Sequence, residues 1–164
     1  MKFLVDAMLG KLVRFLRIFG YDTVYADDLE KFFQMSPVSD EKLKEYAEEE
    51  NRIIITKDLP FYNKARANAV YLKGEGVYNY LNQLKLKLKL DYQFQIHRAR
   101  CSLCNSSLER IPKKKAIKEE VLMQTYNTYN EFYRCSNHKC GKIYWNGPHI
   151  IDILNKIKKN QKNS

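Results

Sequence analysis

The run Ile53-Ile54-Ile55 constrains the fold of this chain more than any other feature. Three successive β-branched residues lose side-chain freedom in a helix and pack well on a pleated surface. A segment that is apolar at every position, rather than every second one, needs cover on both faces, as in the middle of a parallel sheet. It leads into Thr56-Lys57-Asp58. Phe3-Leu4-Val5, ending at Asp6, has the same character, and Thr23-Val24-Tyr25 and Val70-Tyr71-Leu72 supply two further strands.

Helical patterns lie between these strands. Leu9, Leu12, Val13, Leu16 and Phe19 share one face of a helix over 8–19, which Gly20 can close. Ser39 is a suitable N-cap for a helix through Glu50, with Leu43, Tyr46 and Ala47 inward. Further helices are expected over 59–67 and 75–84, and 26–38 reads as a loop with a short helical turn. Residues 85–90 alternate Lys and Leu. Their period is that of a strand with one wet face, and their position suits a helix end entering a linker equally well. Strands alternating with helices imply an α/β fold: a parallel sheet with right-handed crossovers.

Charge divides the chain. Residues 1–96 hold 15 basic and 14 acidic side chains, whereas 97–164 hold 14 basic and 5 acidic, a net of +9 (14 minus 5). The second part should attract a polyanion, of which nucleic acid is the commonest. A membrane surface and a Lys-rich thermophilic exterior are the other readings. No apolar run nears the ~20 residues of a membrane span. The opening Met1-Lys2-Phe3-Leu4-Val5-Asp6 meets an acid too early for a signal peptide. A soluble, cytoplasmic protein with no membrane partner is expected.

If the second and third strands flank the first, Asp6 and Asp58 end neighbouring strands ~4.8 Å apart. They then share the crevice in which open α/β sheets bind ligands. Asp40, at the start of a helix, could join them. Three acids without matching lysines repel one another, and Mg²⁺ or Mn²⁺ would relieve that repulsion and support phosphodiester hydrolysis. The plainer readings are a helix-dipole role for Asp40 and a capping role for Asp58. Lys11, Arg14 and Arg17 form a basic stripe on the first helix. Lys11 and Arg14 lie nearest the crevice and suit phosphate contact, while Arg17 reads as part of a solvated face.

Cys101-Ser102-Leu103-Cys104 is a close pair, and Cys135 and Cys140 form a second pair at the far end of an excursion. This is the arrangement of a structural zinc site, with disulfides or free thiols as the alternative. Cys140 is favoured as the fourth ligand because Gly141 permits a tight turn after it, but His138 would also make a regular pair with Cys135. His97 and His149 read as surface or packing residues. Phe132-Tyr133 and Ile143-Tyr144-Trp145 suit a small core, and one or two of these rings could stack on bases. Lys113-Lys114-Lys115 reads as a phosphate-contacting loop. The Lys/Asn-rich end, 159–164, reads as a disordered tail.

Together these segments resemble the mutator-seven C-terminal ribonuclease domain family, a PIN-like nuclease fold joined to a zinc ribbon. The resemblance spans about residues 2–150. It rests on Phe3-Leu4-Val5-Asp6-Ala7-Met8-Leu9-Gly10-Lys11-Leu12, Leu16-Arg17 and Gly20-Tyr21-Asp22-Thr23. It continues through Asp40-Glu41 and Arg52-Ile53-Ile54-Ile55-Thr56-Lys57-Asp58, with Lys where the family has Arg. Cys101, Cys104 and Cys140-Gly141-Lys142-Ile143-Tyr144-Trp145 match the ribbon.

The resemblance implies a metal-dependent endoribonuclease with Asp6, Asp40 and Asp58 as its acids and Mg²⁺ or Mn²⁺ as its catalytic ion. Structural zinc on Cys101, Cys104, Cys135 and Cys140 would shape an RNA-binding module. It implies a nuclease unit over 1–90 and a basic ribbon over 91–158. The rival is a non-catalytic RNA-binding or ribosome-associated protein on the same scaffold. The resemblance also allows a homodimer, for which no sequence feature marks an interface. Two departures leave alternatives open. The family's second pair is usually Cys-x₂-Cys, which keeps His138 beside Cys140. The stretch between Tyr25 and Asp40 is long, so Asp27 or Asp28 competes with Asp40.

Overall fold

The computed structural model describes residues 1–114 and 120–162. Four strands, β1 (Lys2–Val5), β2 (Asp22–Tyr25), β3 (Ile53–Thr56) and β4 (Ala69–Tyr71), form a parallel sheet in the order β2-β1-β3-β4. Its helices are α1 (Gly10–Ile18), α2 (Glu30–Phe33), α3 (Asp40–Glu49), α4 (Leu59–Lys64) and α5 (Val77–Leu88). The central strands are covered on both faces, as their apolar composition requires. Phe3, Val5 and Ile55 point to a core shared with Leu12 and Leu16 of α1 and Leu81 and Leu84 of α5. Leu4 and Ile54 point the other way, against Leu43 and Ala47 of α3 and Phe61 of α4.

The alternating stretch after residue 84 resolves as helix. α5 continues to Leu88 and stops at Lys89, whose φ is +56°. Tyr80, Leu81 and Leu84 are buried and Leu88 packs partly against the same core, whereas Leu86 is 72% exposed. The inward row thus has helical spacing and prevails over the local period of two.

A smaller antiparallel sheet follows, with β5 (Leu108–Ile111), β6 (Phe132–Cys135) and β7 (Ile143–Tyr144) in that order. Buried Phe132 and Ile143 form its core, with Ile111, Tyr126 of α6 (Met123–Thr128) and Trp145 around them. The last helix, α7 (Pro148–Lys162), returns to the first unit and packs on α5. Ile157 is buried in the larger core, and Ile153 and Leu154 pack against it. That apolar row carries the helix onward, so residues 159–162 of the expected tail are helical. Lys115 of the lysine run and residues 163 and 164 lie outside the described residues. Among the described residues, no helix is long and apolar enough to cross a membrane.

Candidate functional site

β1 has β2 on one side and β3 on the other, so strand order reverses between β1 and β3. Val5 is opposite Ile55, and the Asp6 amide continues the ladder by donating to Ile55 O at 3.0 Å. Asp6 therefore leaves the sheet beside Thr56. The Thr56 hydroxyl, fully buried, donates to Asp6 Oδ2 at 2.5 Å and accepts from the Asp58 amide at 2.9 Å. One hydroxyl thus ties the two strand-end acids together. The sequence reading assigned Thr56 no role; its position between Ile55 and Asp58 at the end of a buried strand was the available signal.

Burial pushes the Asp6 carboxyl above the ordinary carboxylate range. The Thr56 hydroxyl and the Ala7 amide pull it back, and the charges of Asp58 and Asp40 push it up again. Asp58 and Asp40 thus both act on Asp6 at the carboxyl edge of the sheet. Asp58 also caps α4, accepting from Phe61 N at 2.8 Å. Asp40 opens α3 behind the Ser39 cap and receives Lys64 Nζ at 3.3 Å. Asp58 and Asp40 thus have the plainer roles of helix cap and helix-opening acid. These carboxylates are not drawn as close together as the cysteines described below.

The competing acids have other work. Asp28 pairs with Arg17 at 2.9 Å. Asp27 acts on Tyr25, whose hydroxyl donates to Ala7 O at 2.7 Å. Burial, then Asp27, pushes the Tyr25 phenol up to about 12.

Lys11 and Arg14 are exposed on α1, and neither has an ion-pair or hydrogen-bond partner among the described residues. They line a groove with Tyr25, Ser102 and Leu103. Arg17 departs from the expected solvated face, being only 3% exposed. Its guanidinium donates to Thr23 O at 2.9 Å, Leu103 O at 2.8 Å and Ser102 O at 3.3 Å, besides Asp28. The helix pattern could not reveal this, because the partners lie outside the helix, two of them in the distant Cys101–Cys104 turn. Asn105 of the same turn reinforces the junction. Its side-chain oxygen accepts from Thr23 N at 3.0 Å, and its amide nitrogen donates to Asp22 at 2.8 Å. This covers part of the free edge of β2, which would otherwise invite further pairing. Asp22 also receives buried Arg52 at 2.8 Å.

The four cysteines Cys101, Cys104, Cys135 and Cys140 place their sulfurs within 4.8 Å of one another. Cys104 and Cys135 are 3.3 Å apart, and Cys101 and Cys140 are 3.6 Å apart. A disulfide requires ~2.05 Å. Four thiolates ~2.3 Å from a tetrahedral ion stand roughly 3.8 Å apart, so the cluster could hold a metal such as zinc. Cys140 belongs to the cluster, while His138 is exposed. The wide Cys135–Cys140 spacing is taken up by a turn in which Cys140 N and Gly141 N both donate to Asn137 O. Gly141 sits at φ +57°, a conformation suited to glycine. Burial opposes ionisation of Cys104, yet the Ser106 hydroxyl and amide hold its thiol down at about 6. Tyr144 reaches back to Cys101 Sγ at 3.1 Å and accepts from Ser102 N at 3.0 Å.

A family model described as Mut7-C RNAse domain matches residues 1–157. No curated protein and no solved structure matches the chain.

Proposed function

The chain belongs to the Mut7-C RNAse domain family, and from that premise we propose that it is a metal-dependent endoribonuclease of PIN-like fold whose zinc ribbon grips RNA. The family name points to a ribonuclease-type function. The observation that carries the finer reading is Asp6 at the reversal of strand order, tied to Asp58 through Thr56 and repelled by Asp58 and Asp40. Mutual repulsion in an all-oxygen donor set suits Mg²⁺ or Mn²⁺. Mg²⁺ commonly takes one or two carboxylates and keeps several waters, so a wider carboxylate spacing is compatible with it. Asp6 and Asp58 would hold the ion, with Asp40 completing the set or orienting water. When bound, such an ion makes hydroxide available near neutral pH and offsets charge on the phosphodiester.

The chain's own groups prepare that chemistry. Thr56 fixes the Asp6 carboxylate at the end of β1. Lys11 and Arg14, which have no partner among the described residues, receive backbone phosphates in the groove that they line. We read 1–90 as the nuclease unit and 91–158 as the basic ribbon, with zinc on the four cysteines and the net charge of the second part drawing RNA in.

A second reading, RNA binding without cleavage, draws support from the structural duties of Asp58 and Asp40, which cap α4 and meet Lys64. RNA cleavage with Mn²⁺ decides between them. Wild type should cut, and Asp6→Asn should bind RNA equally while losing at least about 100-fold in rate, as loss of a principal electrostatic group does. Tight binding by both proteins with no cutting by either would leave the second reading.

A further inference from the structure

We propose, resting on the ribonuclease reading, that the cleft between the ribbon and the segment leading into it is a subsite for one unstacked base of single-stranded RNA. The cleft has a volume of about 280 Å³. Phe94, Ile96, Leu108 and Ile150 give it apolar walls, and Tyr144 and Trp145 add aromatic surface. Arg100, Lys142 and His149 also line it. The His149 imidazole and the Trp145 indole N–H have no hydrogen-bond partner among the described residues. An apolar slot with a few available polar atoms suits a flat ligand that has apolar faces and a hydrogen-bonding edge.

A nucleobase has that form, and a phosphate does not, because an apolar wall cannot repay its desolvation. Charge argues for a base attached to a polyanion. Arg100 and Lys142 lie along the cleft, within the part of the chain that carries a net +9 (14 basic minus 5 acidic). Position argues likewise. Ser102 lines both this cleft and the groove that holds Lys11 and Arg14, so the two meet there. A strand with its phosphates on α1 could turn one base into the cleft at Ser102. A paired base has its edge occupied and its faces stacked, so the subsite selects single strands.

Trp145 is the chain's one tryptophan and lines the cleft, so its emission responds to an occupant there. The full chain is titrated, without added divalent cation, with a single-stranded oligoribonucleotide and with an abasic strand of the same length and charge. The base-bearing strand should quench Trp145 and the abasic strand should not. His149→Ala, at an exposed position, should weaken binding of the base-bearing strand about tenfold and leave abasic binding unchanged. Equal binding and equal signal from both strands would overturn the subsite and leave the ribonuclease reading standing. Unchanged Trp145 emission while RNA binds would also overturn it and free the cleft for a protein side chain. Failure to bind or cut any RNA would remove the ribonuclease reading, and the subsite with it.

Discussion

Asp6 sits above the ordinary carboxylate range because burial disfavours its charged form. A group whose folded-state pKa is raised stabilises the fold below its unfolded value, and that contribution is lost as pH rises through the folded value. At pH 7 without a cation, ionised Asp6 therefore works against the fold. Asp6→Asn keeps an oxygen for Thr56 and removes the charge, so it should melt a few degrees higher than wild type at pH 7. Added Mn²⁺ should raise the wild-type melting temperature and leave the variant's unchanged. Identical melting curves under all these conditions would contradict the assignment. Asp22 has the opposite sign. Burial raises its pKa, but Arg52 and Asn105 outweigh that and hold the carboxyl low. Its contribution is present above the unfolded value and fades as pH falls through the folded one. Arg17 supplies a third residue-scale test. Arg17→Met would leave the carbonyls of Thr23, Ser102 and Leu103 without their guanidinium partner. A loss of about 3 kcal/mol in urea unfolding is expected. A loss under 1 kcal/mol would mean that the junction does not depend on the guanidinium.

Among the elements, α7 crosses from the ribbon to the larger core, so its substitutions should register far from its place in the chain. Ile157 is 6% exposed within that core. Ile157→Ala should cost about 2–4 kcal/mol, through lost burial and the cavity left behind. The loss should appear in the cooperative unfolding of the α/β unit, followed by far-ultraviolet circular dichroism. A normal transition would show that α7 docks without supporting the sheet. The four strands of the parallel sheet and helices α1 and α3 were readable in advance because their burial patterns are local, whereas α7 was not anticipated. β3 is apolar throughout because both faces are covered, and Ser39 caps α3 as its residue type suggests, accepting from Lys42 N at 3.4 Å. Residues 85–88 were ambiguous because a Lys-Leu alternation satisfies a strand period over six residues. The outcome depended on whether Leu84 and Leu88 had a common surface to meet, which only packing supplies.

In the whole molecule, the cysteine cluster and the edge of the parallel sheet share a frame. The Cys101–Cys104 turn gives Arg17 two carbonyls, and Asn105 just beyond it holds Thr23 and Asp22 at the edge of β2. Freshly purified protein should contain about one equivalent of zinc. Chelation should unfold the small sheet, shifting Trp145 emission, and also lower the urea midpoint of the α/β unit. Less than half an equivalent of zinc, with no change on chelation, would contradict both the site and its mechanical role.

By itself the sequence determined the parallel α/β core, the pairing of cysteines at the two ends of an excursion and the basic bias of the second part. Each follows from residue type and short-range spacing. The position of Asp6 at a strand end was equally legible. Only the tertiary structure decided that Thr56 bridges Asp6 to Asp58, that Arg17 is buried, that Cys140 rather than His138 joins the cluster, and that α7 returns to α5. The physical reason is the same in each case. These outcomes depend on partners brought together by strand order and domain docking, and a helix stripe or a cysteine spacing cannot contain that information.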